Sequence, residues 1–232
     1  MAEAATALVE AGEGLWSFVF PRSAHVRAGV GDRRVPVEKA LARMPCPVSP
    51  IQAEQVHGSS IAAVASADIR QPIAGCDALV TLQTNRALVV RSADCVPILV
   101  SDPVHRVVAA AHAGWRGLAA RLPSRLVALL VQLYHCRADD LEVVFGPCIR
   151  SCCYEVGSEF ERFFGPFVRM RDGKRLCDLP GYAAEQLLQA GVRREHIGDS
   201  RQCTACNPQR WFSLRREGPQ TGRLATWIWL DA

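Results

Sequence analysis

Short apolar runs bounded by turn residues dominate this chain, and such runs predict strands. Leu15 to Phe20 is the first. Pro50 to Val56 and Ile61 to Ala65 read as a strand pair turned by Gly58-Ser59-Ser60. Ala78 to Leu82, Ala87 to Arg91 and Val96 to Val100 follow, then Arg106 to Ala111 after the Asp102-Pro103 turn. Leu141 to Phe145 and Ala225 to Leu230 complete the set. Helical patterns are fewer. Val37 to Met44 is entered at Pro36, where a missing N–H costs nothing. Leu118 to Tyr134 is amphipathic and must keep Pro123 in its first turns or break there. Glu155 to Phe164 predicts a third helix, and Asp178 caps a fourth that runs to about Gln189 and closes at Gly191. Strands outnumber helices without strictly alternating with them, which predicts an α+β fold rather than a doubly wound sheet.

Pro and Gly punctuate the 232 residues evenly, with no linker or repeat, so one domain over residues 1–232 is expected, residues 1–14 forming a tail. The composition, 49% hydrophobic and 22% charged, is that of an ordinary globular protein. A net charge of +4 from scattered basic residues argues against a nucleic-acid surface. Residues 1–14 lack the pattern of a signal peptide, and no run approaches the roughly 18 apolar residues that span a bilayer. The expected compartment is the cytosol, without membrane association, and the ten cysteines then read as reduced thiols.

Three residues at the ends of predicted strands carry the candidate chemistry: His57, Cys95 and His112. Two imidazoles and a thiolate are a ligand set for a catalytic zinc with an open fourth position. Their separations, 38 and 17 positions, differ from those of structural zinc motifs but suit ligands delivered by different strands. Spacing alone leaves a purely structural role for each equally open. After His112 the chain runs through Gly114-Trp115-Arg116-Gly117 into the predicted helix. That turn is a candidate anion site, with Arg116 able to grip a phosphate, or else only a turn with a solvated arginine. Asp94, beside Cys95, is a candidate to shuttle a proton or to orient a ligand.

The segments Glu54-Gln55-Val56-His57-Gly58, Ser92-Ala93-Asp94-Cys95-Val96-Pro97 and Ala111-His112-Ala113-Gly114-Trp115-Arg116-Gly117 resemble motifs of the YfiH/YlmD family. That family is also called the laccase-domain or multicopper polyphenol oxidoreductase family. Gly146-Pro147-Cys148-Ile149 with Cys153-Tyr154-Glu155-Val156-Gly157 also matches, as do Cys203-Thr204, Phe212 to Arg216 and Thr221-Gly222-Arg223. The resemblance implies a four-layer α/β/β/α sandwich, and a purine nucleoside phosphorylase of broad range with adenosine deaminase and methylthioadenosine phosphorylase activities. It carries zinc onto His57, Cys95 and His112, with purine nucleosides and phosphate as partners. Gln55, Arg116 and Cys148 are then candidate substrate contacts, and Asp94, Cys95 and His112 the catalytic set. Copper and phenol oxidation, implied by the older label, need many histidines, and this chain has six.

The family's Ser-Thr-Arg-x-Gly-Gly loop and the following Ser-Leu-Asn-Leu-Gly stretch are missing. Phe18 to Arg22 leads almost directly to Arg27-Ala28-Gly29-Val30-Gly31-Asp32, with Arg22 as the nearest stand-in. Cys203 and Cys206 have CxxC spacing, a redox pair or half a zinc site, with no second CxxC to complete it. Cys148, Cys152 and Cys153 are expected near the pocket; Cys46, Cys76, Cys136 and Cys177 read as core or chance. The rival chemistry is a cysteine hydrolase with Cys95 as nucleophile and His112 as base, the fold resembling that of bacterial toxin glutamine deamidases. A non-catalytic protein that keeps the metal site is the third possibility.

Overall fold

The computed structural model describes residues 8–43, 50–65 and 71–232; Met44 and Cys46 lie outside them. The first part of the chain forms β1 (Val9–Gly12), β2 (Leu15–Phe18), β3 (Val26–Gly31), α1 (Val37–Arg43), β4 (Ile51–Gln52) and β5 (Ile61–Ala63). The middle forms β6 (Ala78–Thr81), β7 (Leu88–Ser92), β8 (Val96–Asp102), β9 (Val107–Ala113), α2 (Trp115–Ala119), α3 (Leu122–Tyr134) and β10 (Glu142–Phe145). The last part forms α4 (Glu161–Phe164), β11 (Val168–Arg171), β12 (Lys174–Cys177), α5 (Leu179–Gln189), β13 (Ile197–Asp199), α6 (Leu214–Glu217) and β14 (Leu224–Leu230).

These strands build two six-stranded sheets, ordered β1-β2-β3-β14-β7-β4 and β13-β10-β8-β9-β6-β5, with β11-β12 as a separate hairpin. Every residue of β8 and β9 is buried, because both faces of their sheet are covered. On β8, Ile98 and Val100 belong to the same core as Leu126 and Leu187 of the helices α3 and α5. Leu99 between them joins Leu88, Val90 and Ile228 of the other sheet. The period of two thus fills both a helix–sheet core and a sheet–sheet core. On the far face of the first sheet, Ala40 of α1 packs with Val89 and Trp227. The layers read α/β/β/α, an α+β fold as expected.

Several elements differ from the sequence expectation, each for a physical reason. The two runs on either side of Gly58-Ser59-Ser60 do not pair: β4 joins β7 and β5 joins β6, in different sheets. The expected long helix is two helices, since Arg121 takes the left-handed conformation and Pro123 falls at the start of α3, where no N–H is needed. Glu155 pairs with Leu176 instead of starting a helix, so only Ser158 to Phe164 coils. Within the expected tail, Val9–Gly12 forms the edge strand β1. The strands β3, β11, β12 and β13 were not anticipated; β3, rich in glycine, is held by pairing to β2 and β14. The Asp178 cap is as read, its carboxylate accepting from the Gly181 amide at 3.1 Å.

Leu99 is fully buried between the sheets. Leu99→Ala is expected to destabilise the protein by about 2–5 kcal/mol, measured by denaturant unfolding with an unchanged m value.

Candidate active site

The chain passes from one sheet to the other three times at one end of the sandwich, from β4 to β5, from β7 to β8 and from β13 to β14. The β4-to-β5 passage carries His57, and the β7-to-β8 passage carries Cys95. His112 is the penultimate residue of β9, opposite Pro97 of β8, and so lies next to the second passage. It also continues the register of Val108 and Ala110, which face the other sheet. The donor atoms of His57, Cys95 and His112 all lie within 4.8 Å of one another, and the two rings meet edge to face at 4.8 Å. Gln55, His57 and Asp94 have positive φ (66°, 61° and 93°), so three non-glycine residues in the passages hold disfavoured backbone.

Asp77, immediately before β6, holds the trio in place. Its fully buried carboxylate accepts from the His57 amide at 2.9 Å and the Gly58 amide at 2.7 Å, and stands 3.0 Å from His112 Nδ1. With Nδ1 engaged, His112 presents Nε2 to the cluster, the arrangement that orients metal-binding histidines. Burial pushes the Asp77 carboxyl up, but these bonds outweigh it and hold it below the usual carboxylate range. Burial also opposes ionisation of Cys95, yet His112 and His57 beside it bring the thiol down to about 6. Burial disfavours the His112 cation, and bonds to Asp77 and Cys95 raise it to about 9. Each partner thus favours the charged form of the other, the thiolate of Cys95 and the cation of His112.

Glycine in the following turn has a steric reason. A Cβ on Gly114 would stand 3.1 Å from Cys95 Sγ and 3.2 Å from His57 Cδ2, and one on Gly117 would stand 2.7 Å from the Gly58 carbonyl. The turn packs against the metal-ligand candidates. The helix it opens, α2, spans five residues, which leaves little dipole for the anion cradle expected there.

Two pockets meet at the trio, with His57, Ala93, Cys95 and Leu214 on the wall of both. The smaller, about 290 Å³, is also lined by Glu54, Arg91, His112 and Arg223. The larger, about 370 Å³, is lined by Trp115, Arg116, Ile149, Tyr154 and Arg215. Arg116 lies over the Trp115 ring at 4.4 Å and Arg215 over Tyr154 at 4.8 Å. Gln55 reaches the smaller pocket, but its amide is engaged by the Arg91 backbone in both directions, at 2.6 and 2.8 Å. Asp94 borders the larger pocket with both oxygens occupied, by Thr204 Oγ1 at 2.6 Å and the Arg215 amide at 2.7 Å. Cys148 is fully buried in the helix–sheet core and lines neither pocket. Arg22 lies elsewhere, paired with Asp140 at 3.2 Å. Sequence reasoning missed Asp77 and Arg91, whose roles arise only from tertiary contact; Tyr154, Arg215 and Arg223 stood in matched motifs without an assigned part.

The fold and site together define an α+β sandwich protein with a His₂Cys donor group compatible with a metal, open to two pockets. The family described as multi-copper polyphenol oxidoreductase laccase matches residues 15–231, and this chain belongs to it, the YfiH/YlmD family of the sequence resemblance. It is similar to a Geobacillus stearothermophilus protein named purine nucleoside phosphorylase YlmD, 34% identical over 191 residues (75% of this chain, 70% of that one). It is also similar to a protein named adenosine deaminase RL5 from an unknown prokaryotic organism, 35% identical over 164 residues (67% and 62%). The crystal structure of Geobacillus stearothermophilus YlmD superimposes with a TM-score of 0.86 at 26% identity, covering 97% of this chain and 99% of that one. Among the described residues no helix is long and apolar enough to cross a membrane.

Asp77→Asn removes the charge and sets an amide NH₂ against donors. Metal affinity is expected to fall about 10–100-fold in competition with a chelator. In metal-free protein, iodoacetamide labelling of Cys95 should rise as pH passes about 6, where the thiol ionises; a midpoint near the ordinary thiol value would contradict the geometry.

Proposed function

We propose that this chain is a zinc-dependent purine nucleoside phosphorylase of broad range, with adenosine deaminase and methylthioadenosine phosphorylase activities, acting in the cytoplasm. The observation that carries the reading is the convergence of His57, Cys95 and His112 where two pockets meet, His57 and Cys95 lining both and His112 the smaller. The donor set fits zinc: two borderline nitrogens, one thiolate already favoured by its neighbours, and a carboxylate behind one imidazole. Copper as a multinuclear oxidase centre fits less well, since only two of the six histidines join the group. The names of the relatives supply the substrate class.

Bound by these three residues, zinc supplies Lewis acidity at the junction of the pockets. The chain's own groups do the rest. Trp115 and Tyr154 offer aromatic faces suited to a purine ring. Arg91, Arg116 and Arg223 around the trio suit an anion, gripping phosphate through paired N–H groups. In phosphorolysis a phosphate oxygen bonds to ribose C1′ as the C1′–N9 bond breaks, its electron pair leaving on the purine. In deamination water adds at C6 and ammonia leaves. The occupied carboxylate of Asp94 supports its ligand-orienting role over proton shuttling, since it fixes the backbone next to Cys95.

A second reading has its own observation: Asp77, His112 and Cys95 form a relay in which a carboxylate orients the imidazole beside a depressed thiol, the logic of a cysteine hydrolase. His57 has no part in it.

Metal-quantified protein incubated with adenosine, inosine and methylthioadenosine, with and without phosphate, separates the readings by chromatography. Free base is expected only with phosphate, and inosine from adenosine without it. His112→Ala is expected to abolish the metal held by this trio and both activities together; turnover surviving in the variant that lacks that metal would overturn the zinc assignment.

A further inference from the structure

Four cysteines outside the candidate active site converge on one point. Cys152 and Cys153 lie on the turn that follows the Gly146-Pro147-Cys148 segment, and Cys203 and Cys206 on the turn after β13. All four sulfurs lie within 4.8 Å of one another, and Cys206 Sγ stands 3.3 Å from both Cys152 Sγ and Cys153 Sγ. The two turns are registered by backbone bonds: Cys148 N–H donates to Gln202 O at 3.2 Å, and Thr204 N–H to Cys148 O at 3.0 Å. A two-pronged ion pair between Arg150 and Asp199, at 2.9 and 2.6 Å, clamps the same segments. The half-site read from the CxxC spacing is completed by adjacent cysteines, not by a second CxxC.

We propose that Cys152, Cys153, Cys203 and Cys206 form a second, four-thiolate zinc site that fastens these two turns together. Four sulfurs around a tetrahedral zinc at about 2.3 Å stand about 3.8 Å apart, close to the spacing found here. The site is closed, with no position left for substrate, so it is structural. Binding displaces the four thiol protons, one from each ligand, without oxidation or reduction. A disulfide would use only two of the four sulfurs, and Cys206 touches two equivalent candidates, so the geometry selects no single pair. Among the described residues the other such group outside the active site, Asp102 with His105 and Cys136, is already closed on itself, its carboxylate accepting from the amides of Val104 and His105.

The site bears on the pocket next to it. Thr204, between the two CxxC cysteines, donates its hydroxyl to Asp94, and Arg216 donates to the carbonyls of Thr204 and Ala205. Tyr154, on the pocket wall, directly follows Cys153. Fastening the turns therefore fixes Asp94 and the Tyr154 face relative to Cys95.

The test is zinc content after purification under reducing conditions. The wild-type chain is expected to hold about two zinc ions, and His57→Ala/His112→Ala about one. That remaining ion is expected to be lost on adding Cys203→Ser. Exchanged for cobalt in the His57→Ala/His112→Ala variant, it should give intense thiolate-to-cobalt absorption. Cys206→Ser alone, at an exposed position, is expected to retain only the active-site ion. If His57→Ala/His112→Ala holds no zinc, or if peptide mapping finds Cys206 disulfide-bonded to Cys152 or Cys153, the four-thiolate site is wrong. If instead wild type and His57→Ala/His112→Ala each hold a single ion that Cys203→Ser removes, this site stands and the active-site zinc fails.

Discussion

The carboxylate of Asp77 is the constraint on which the site depends. A buried, unpaired carboxylate costs several kcal/mol, so the fold persists only with its partners in place. Those partners are the amides of His57 and Gly58 on the passage between sheets and the ring of His112 on β9. The backbone of Asp77 adds a further tie, its carbonyl accepting from the His112 amide at 2.8 Å. Charge-assisted bonds of this kind contribute about 1.5–3 kcal/mol each. One side chain thus joins the passage, β6 and β9, and brings two of the three donors into a fixed relation.

The architecture explains why the donors come from distant positions. Two stacked sheets require the chain to leave one and enter the other, and three such passages lie at the same end as the close of β9. Residues on the passages are free of ladder pairing, so they can take the positive φ seen at Gln55, His57 and Asp94. The rigid β8–β9 pair beneath them, buried on both faces, supplies the floor. Mobile side chains on a fixed backbone would not hold three donors within 4.8 Å; strained backbone locked by Asp77, Gln55 and Asp94 does.

Much of this was legible from the sequence because burial on both faces writes continuous apolar runs, and the runs end where the donors stand. His57, Cys95 and His112 were visible for that reason. The false strand pair around Gly58 arose because two runs and a turn look alike whether the strands share a sheet or separate into two. The long helix divides at Arg121, whose left-handed backbone precedes α3, with Pro123 in the first turn of that helix. Asp77 carried no local signal: its partners lie 19 to 35 positions away. Gly114 and Gly117 were noticed as an anion turn, whereas close approach to Cys95, His57 and Gly58 explains them better. Cys152 and Cys153 could not be matched to Cys203 and Cys206 without the fold.

In the proposed centre His57, Cys95 and His112 hold one metal ion together, leaving a position open toward the pockets. Anomalous diffraction at the zinc edge from crystals of the purified protein tests it directly. A peak is expected about 2.0–2.1 Å from one nitrogen of each histidine and about 2.3 Å from Cys95 Sγ, with its fourth side facing the pockets. Zinc-replete crystals with no peak among the three donors, or with a peak that leaves out Cys95, would contradict it.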